Sequence, residues 1–284
     1  MSGARECDPY HCEPSCKVTA FIASWGTIAP EAALSNIQPG VAFRDQNRHG
    51  DLRTVDNILE VSNLSVQFGS ARILNDLTFR VARGSSLAIV GPNGAGKTVL
   101  FRALTGAIPY QGKIRWDQGT RIGYVPQKLD LERDIPITGM DFLRARAEPH
   151  EGKDTISRAM SLVDVSEEIA RQAIGALSIG QFQRLLVTFA LVGNPNVLML
   201  DEPTAGVDEP GQQQLNELVR RLQRDQGLTV LFISHELNVV YRYATDVLCL
   251  NRYRACFGPP RKILTPELLQ EVYGTSIEFH VHDS

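Results

Sequence analysis

The sequence predicts an α/β fold built on a mixed, largely parallel sheet, and three observations support this. Short apolar segments rich in β-branched residues recur from Asn57 onward and are typical of strands. Helical segments separate several of them, and such alternation is typical of a parallel sheet covered by helices. A glycine-rich loop at residues 91–98 joins one apolar strand to a helix.

The expected elements follow one another in a regular order. Strands are predicted at residues 59–61, 64–68, 77–81, 86–90, 122–125, 197–200, 230–233 and 247–250. The segment 99–104 should continue as a helix after the glycine-rich loop. Between Leu129 and Ala176 the strand signals vanish, and helices are predicted at 141–147, 155–163 and 166–173. That interval fits a helical insertion in the α/β core.

Composition limits the classes of function. The chain has 284 residues, of which 43% are hydrophobic, so it can bury a large core. A net charge of -3 gives no basic surface for nucleic acid. No segment approaches the ~18 apolar residues needed to cross a bilayer, so a membrane role requires a partner that spans it. Two of the five cysteines, Cys249 and Cys256, lie in or beside core elements, where buried small hydrophobes are the default.

The first 56 residues lack the regular pattern. They carry a cluster of possible metal ligands, Cys7, Cys12, Cys16 and His11. Their spacing matches no standard zinc site. The mildly apolar stretch 18–29 resembles a short signal-peptide core, but acidic residues precede it. We expect segment 1–56 to be a disordered extension or the product of a start codon placed too far upstream.

The glycine-rich loop has the pattern G-x-x-x-x-G-K-[ST] in full. Its residues are Gly91, Pro92, Asn93, Gly94, Ala95, Gly96, Lys97 and Thr98. Glycines let such a loop wrap around phosphates, so its backbone N–H groups become ligands, and the following helix points its positive end at the same anion. Lys97 can reach the β- and γ-phosphates, and the Thr98 hydroxyl can ligate Mg²⁺. The loop predicts nucleotide binding but does not indicate which process the nucleotide drives.

An acidic pair follows a second buried strand. The apolar segment 197–200 delivers Asp201 to the carboxyl edge of the sheet, where it can hold Mg²⁺ through water. Glu202 is then placed to polarise an attacking water as general base. Such a pair alone is often a helix cap or a surface pair. The phosphate loop upstream favours the catalytic interpretation.

Six motifs in order resemble one family. They are the loop 91–98, Gln127 in Tyr-Val-Pro-Gln, the signature Leu-Ser-Ile-Gly-Gln at 177–181, Asp201-Glu202, Ala-Gly-Val-Asp at 205–208, and Ser234-His235. From about residue 57 the chain resembles the nucleotide-binding subunit of an ATP-binding cassette (ABC) transporter. The resemblance implies a P-loop NTPase fold of the ABC type at 57–256, with a helical subdomain at about 129–176 and a short tail at 257–284.

The resemblance also implies roles for single residues. Gln127 would contact Mg²⁺ and the attacking water and begin the loop that senses the membrane partner. His235 would contact the γ-phosphate and support Glu202, although a lone histidine after a strand is more often a packing residue. Phe68 matches the aromatic residue that stacks on adenine, and a core phenylalanine at a strand end is the alternative. Asp208 would help link two ATP sites across a dimer.

The signature makes a second copy of the chain part of the site. By resemblance, Ser178, Gly180 and Gln181 would bind the γ-phosphate of ATP held by the other subunit, again at a helix N-terminus. Ile179 departs from the usual glycine at its position. Its backbone N–H survives, but small size and conformational freedom at the dimer seam are lost. We therefore expect weaker closure or slower hydrolysis, not inactivity.

Within the family the chain is most similar to zinc and manganese importer ATPases. The similar segments are 121–128, 134–138, 206–208 and 247–252, and the tail is short. His280 and His282 are too few for a metal site, and a solvated tail is favoured. The implied partners are a second copy, a separate membrane-spanning permease and, indirectly, an extracytoplasmic metal-binding protein, but no nucleic acid. The implied location is peripheral, on the cytoplasmic face of the plasma (inner) membrane.

Other functions remain open from the sequence. The chain also suits an ATPase subunit of another ABC importer or of an exporter. A soluble ABC ATPase acting on nucleic acid or ribosomes usually carries two cassettes or long coiled-coil insertions, and neither is visible here. The transported metal is not encoded in this chain, because selectivity resides in the permease and the binding protein.

Overall fold

The computed structural model describes residues 56–127, 137–147, 152–251 and 255–273. The predictions for segment 1–55, for the segment 128–136 and for His280 and His282 lie outside these residues. The described strands are β1 (Asn57–Phe68), β2 (Ala71–Ala82), β3 (Ser86–Val90), β4 (Gln111–Trp116), β5 (Ile122–Val125), β6 (Val197–Asp201), β7 (Thr229–Ile233), β8 (Asp246–Leu250) and β9 (Ala255–Gly258). The described α-helices are α1 (Lys97–Leu104), α2 (Gly139–Arg144), α3 (Gly152–Val163), α4 (Glu167–Ala170), α5 (Ile179–Val192), α6 (Glu209–Gln226), α7 (Leu237–Tyr243), α8 (Pro260–Ile263) and α9 (Pro266–Tyr273).

The main sheet has six strands in the order β5-β6-β7-β3-β8-β9. All neighbours are parallel except β8 and β9, which are antiparallel. Every residue of β3, β6 and β7 is buried, as expected for parallel strands covered on both faces. The parallel strands end at one common edge, so the segments that follow β3, β6 and β7 meet there. The five strands predicted between residues 86 and 250 are confirmed.

A second, antiparallel sheet has the order β2-β1-β4. The sequence predicts two strands at 59–61 and 64–68, but β1 is a single strand with an irregular register between Val61 and Leu64. Asn63 in this irregularity has a left-handed backbone (φ 51°), and its side chain donates to Asp76 on β2. Strand β4 was not predicted, because its partly exposed residues 111–116 carry little apolar periodicity.

Two hydrophobic clusters lie on opposite faces of the main sheet. Alternate residues of β6 divide between them: Leu198 and Leu200 face the cluster that contains α5 and α6, whereas Val197 and Met199 face α1 and the antiparallel sheet. The strand therefore has no polar face, and its single charged residue, Asp201, comes at its end. This packing fixes the position of the Asp201 carboxylate at the end of β6.

The helix-rich interval predicted after residue 129 contains α2, α3 and α4 within the described residues. Thr138 and Asp141 form a reciprocal capping box at the start of α2, and Ser166 caps α4. Helix α3 packs against α5, so the interval is joined to the helix that the signature begins. Among the described helices, none combines the length and apolar character needed to cross a membrane.

Candidate functional site

The phosphate loop connects β3 to α1, as predicted, and the fold leaves no room for side chains at two of its glycines. Gly91 has φ 149°, and a Cβ there would lie 2.1 Å from the carbonyl oxygen of Leu250 on β8. Gly96 has φ 95°, and a Cβ there would meet Leu74 on β2 at 2.8 Å. The loop is therefore held between the main sheet and the antiparallel sheet, and its backbone lines the space that it encloses.

Lys97 places its ammonium group against this loop. The side chain is buried, and Nζ donates hydrogen bonds to the carbonyl oxygens of Gly91 (2.9 Å) and Pro92 (3.2 Å). Burial lowers the pKa of Lys97, whereas the nearby carboxylates of Glu202 and Asp201 act in the opposite direction. A buried cation beside two acids suits a site that takes an anion together with a metal ion.

Asp201 ends β6 as a buried carboxylate with one oxygen free of protein partners. It is 1% exposed, and the Tyr124 hydroxyl lies 3.3 Å from its Oδ2. Its Oδ1 is buried and has no hydrogen-bond partner among the described residues. Burial raises the pKa of Asp201, and a hydrogen bond with the Thr98 side chain partly offsets this. An orphaned carboxylate oxygen beside a threonine hydroxyl fits a hard divalent cation such as Mg²⁺.

Glu202 lies between two other residues that the sequence singles out. The amide Nε2 of Gln127 donates to Oε2 at 2.5 Å, and Nε2 of His235 lies 2.6 Å from Oε1. A carboxylate only accepts, so His235 carries its proton on Nε2 in this contact. Glu202 also has a left-handed backbone (φ 49°), a strained conformation of the kind that clusters at functional sites. The fold thus brings residues 127, 202 and 235 into direct contact.

Phe68 ends β1 and is exposed. Its side chain is 48% exposed, so the alternative of a core phenylalanine is wrong. It pairs with Ala71 at the tip of the β1–β2 hairpin. Ile73 and Leu74 of the same hairpin are the neighbours of Gly96. The exposed ring therefore belongs to the hairpin that contacts the phosphate loop.

The signature residues begin α5 and are hydrogen-bonded to each other. The Ser178 Oγ accepts from the Gln181 N–H at 3.2 Å, and the Gln181 Oε1 accepts from the Ser178 N–H at 2.9 Å. This is a capping box, so the side-chain oxygen of Gln181 is engaged within its own chain. Ile179 is 47% exposed, and a Cβ added at Gly180 would meet nothing within 4 Å. The amides of Ile179 and Gly180 thus begin a helix whose start faces outward.

A cavity of about 690 Å³ adjoins the signature. It is lined by residues 178–181 and by residues 206–208, so Asp208 and the signature share it. Asp208 is the residue that precedes α6, and its side chain caps no N–H of that helix. The predicted residues consequently fall into two groups, one around Lys97 and Glu202 and the other around this cavity.

Tyr124 is a site residue that sequence reasoning missed. It lies on β5, which pairs with β6, and its hydroxyl reaches the carboxylate at the end of β6. Burial, followed by the charge of Asp201, raises its pKa well above the ordinary value, so it remains a neutral donor. Its place three residues before Gln127, within the predicted strand 122–125, was the available signal.

Comparisons with known proteins agree on one family. The family model described as ABC transporter matches residues 74–205. The zinc import ATP-binding protein ZnuC of Yersinia enterocolitica is 41% identical over 217 residues, which cover 76% of this chain and 85% of that protein. The protein of the same name from Roseobacter denitrificans is 37% identical over 220 residues, which cover 77% and 85%.

A solved structure gives the same result for the fold. A metal-chelate type ABC transporter in an inward-facing conformation superposes with a TM-score of 0.70 at 28% identity, covering 77% of this chain and 89% of that chain. Together with the loop 91–98 and the contacts of Glu202, these similarities show that the chain belongs to the ABC transporter family, as an ATP-binding and ATP-hydrolysing subunit.

Proposed function

We propose that this chain energises the import of zinc by hydrolysing ATP, as a dimer bound to a separate permease at the cytoplasmic face of the membrane. The identity of 37–41% with zinc import ATP-binding proteins, over most of both chains, supports zinc as the substrate of the transporter. Manganese is the alternative substrate that the sequence leaves open. The observation that carries hydrolysis is the contact of Glu202 with Gln127 and His235 beside the phosphate loop.

ATP binding is assigned to residues 91–98 and Phe68. The loop amides and Lys97 would hold the phosphates, and the exposed Phe68 ring would stack on the adenine. Thr98, Asp201 and Gln127 would hold the Mg²⁺ that accompanies ATP, and this ion would neutralise charge on the phosphate oxygens. The free Oδ1 of Asp201 supports this ligand set.

Glu202 is proposed as the general base. Gln127 and His235 fix the two carboxylate oxygens, so the group has little freedom to turn away from a water placed beside it. Glu202 would take a proton from that water while the water oxygen bonds to the γ-phosphorus and ADP leaves. Lys97 and the loop amides stabilise the charge of the transferred group, which is the main requirement of phosphoryl transfer.

The geometry of the signature supports the proposal of a dimer. Its outward-facing amides at Ile179 and Gly180 lie in an open cavity with Asp208. In the proposed sandwich, Ser178, Gly180 and Gln181 bind ATP held by the partner. ATP binding would then close two copies, and hydrolysis would reopen them and move the permease. The Gln181 side chain would contribute its amide nitrogen, because its oxygen caps α5.

The test is uptake of zinc by a strain that lacks this chain. The wild-type chain should restore uptake of labelled zinc, whereas Glu202→Gln should not. Glu217→Gln is the matched control, because Glu217 lies exposed on α6 beside Arg220, outside the site. Restored uptake of manganese but not of zinc would contradict the proposal that zinc is the substrate. Full uptake with Glu202→Gln would contradict the proposed base.

A further inference from the structure

Two cysteines lie opposite each other on the neighbouring strands β8 and β9. Cys249 on β8 and Cys256 on β9 are direct partners in an antiparallel pair, and both are free thiols. Direct partners project from the same face of a sheet, with Cα atoms ~4.5–5.5 Å apart. That separation lies within the ~4.4–6.8 Å that disulfides span. The register therefore allows the two sulfur atoms to bond without moving the strands far.

The two thiols differ in accessibility. Cys249 is 2% exposed, and burial, with a smaller influence of Cys256, raises its pKa to about 12. Cys256 is partly exposed on β9, the last strand of the sheet order. A small oxidant in solution therefore reaches Cys256 first. Cys249 remains buried beside it as a neutral thiol. An accessible thiol beside a second one that can resolve it is the arrangement of redox-sensitive pairs.

We propose that a peroxide-class oxidant converts Cys249 and Cys256 reversibly into a disulfide, and that this bridge slows ATP turnover. The Cys256 sulfur attacks a peroxide oxygen, the O–O bond breaks, and the released oxygen leaves as water with the thiol proton. The resulting sulfenic acid is attacked by the Cys249 sulfur, which loses its proton as the hydroxyl leaves as a second water. The two thiols lose two electrons in total, and the peroxide gains them. A dithiol reductant reverses the change by exchange.

The bridge acts on the nucleotide site through β8. On its other side Cys249 pairs with Val90, the last residue of β3 before the phosphate loop. The next residue, Leu250, has the carbonyl oxygen against which Gly91 is packed without room for a Cβ. A disulfide imposes its own torsion angles on both strands, so the end of β8 must adjust. A misplacement of about 1 Å in an active site can slow a reaction roughly 100-fold, so an adjustment beside the phosphate-binding loop should slow phosphoryl transfer.

The test uses the full-length chain carrying Cys7→Ser, Cys12→Ser and Cys16→Ser, in which only Cys249 and Cys256 remain. Hydrogen peroxide should lower the intact mass by two hydrogen atoms and remove both titratable thiols. ATP turnover should fall several-fold in parallel and recover after treatment with dithiothreitol. Peptide mapping should place the bridge between β8 and β9.

The control adds Cys256→Ser to the same chain. This variant should fold and hydrolyse ATP like its parent, because Cys256 is partly exposed on the outermost strand β9 and serine is close to cysteine in size. Peroxide should leave its turnover unchanged. Three results would overturn the proposal: added oxygen without loss of two hydrogen atoms, disulfides only between chains, or a complete bridge with unchanged turnover. An equal loss of turnover in the Cys256→Ser control would also overturn it, since the damage would then lie elsewhere.

Discussion

The segment from Ser178 to Glu202 begins and ends at two very different places. At its end, Glu202 already touches Gln127 and His235, and the neighbouring Asp201 is buried. At its start, Ser178 is hydrogen-bonded within its own helix turn, and Ile179 is half exposed beside an open cavity. One end is assembled within a single chain, whereas the other presents groups outward. The proposed roles agree with this difference: the proposed base is already held by residues of its own chain, whereas the signature faces outward, as binding to a second copy would require.

The physical reason lies in what fixes each end. Strand β6 is paired on both sides, with β5 and β7, and it is buried along its whole length. The carboxylate of Asp201 at its end is therefore held in one position and one orientation. The start of α5 is fixed by one capping box, which engages the N–H groups of Ser178 and Gln181 and leaves those of Ile179 and Gly180 outside it. Substitutions at the two ends should accordingly fail in different ways.

The largest effect is expected for Glu202→Gln. The substitution keeps the size of the side chain but removes the basic oxygen, so steady-state ATP turnover should fall roughly 1,000-fold, within the range for a general base. Affinity for ATP should change little, because the phosphate loop is untouched. Turnover by malachite-green phosphate release and binding by titration calorimetry measure the two quantities.

Glu217→Gln provides the reference for that measurement. Glu217 is an exposed glutamate on α6, so the same chemical change there should leave turnover within about twofold of wild type, as is usual for exposed surface substitutions. A loss of less than tenfold in Glu202→Gln would contradict the assignment of a preassembled base and would move that role to another residue.

The next effect is expected for Ser178→Ala, compared with Ser166→Ala. Both serines cap a helix by accepting an N–H three residues on, at 3.2 Å, so each substitution should lower the free energy of unfolding by about 1 kcal/mol. Only Ser178 belongs to the signature. Its loss should also lower turnover roughly 10- to 100-fold, because a hydrogen bond to a charged group contributes ~1.5–3 kcal/mol.

Urea unfolding of the two purified variants measures the loss of stability, and phosphate release measures the loss of ATP turnover. If Ser166→Ala slowed turnover as much as Ser178→Ala, the cap alone would explain the effect, and the signature would have no role beyond starting α5. A turnover loss confined to Ser178→Ala would sharpen the contrast between the two ends of the segment.

Much of this arrangement could be predicted from the sequence, because it depends on local patterns. Buried parallel strands such as β3 and β6 are continuous apolar runs, and the loop after β3 follows a fixed pattern. Two features depend on contacts between distant segments, and local sequence patterns alone do not reveal those contacts. Strand β4 is recruited by pairing with β1, and Tyr124 reaches Asp201 only because β5 and β6 are neighbours.

Phe68→Ala should have a smaller effect, on binding. Stacking of an aromatic ring on a base contributes ~1–3 kcal/mol, so the dissociation constant for ATP should rise roughly tenfold at this exposed position. The turnover number at saturating ATP should be unchanged, because the proposed stacking contributes to ATP binding and not to the chemistry at Glu202. Fluorescent-nucleotide titration and kcat measure the two effects.

Phe257→Ala is the matched control for Phe68. Phe257 is a similarly exposed phenylalanine, 37% against 48%, and it packs on Phe79 in the antiparallel sheet. Its loss should leave ATP affinity unchanged. Equal weakening by both substitutions would indicate a general loss of structure and would contradict stacking by Phe68; Phe68→Tyr, which keeps an aromatic face, should bind like wild type.

The smallest effect is expected at Ile179, which stands where the resemblance leads us to expect a glycine. Ile179→Gly should raise ATP turnover roughly threefold, a change of less than 1 kcal/mol in the barrier, and should strengthen ATP-driven dimerisation. Its backbone amide is present in both forms, so only bulk and stiffness at the exposed helix start differ.

Ile179→Ala separates these causes, because alanine removes the bulk without the flexibility of glycine. A rise with both variants assigns the effect to size, and a rise with glycine alone assigns it to the backbone. If turnover and sedimentation of the ATP-bound form stayed at wild-type values in both, the outward-facing end would not limit closure.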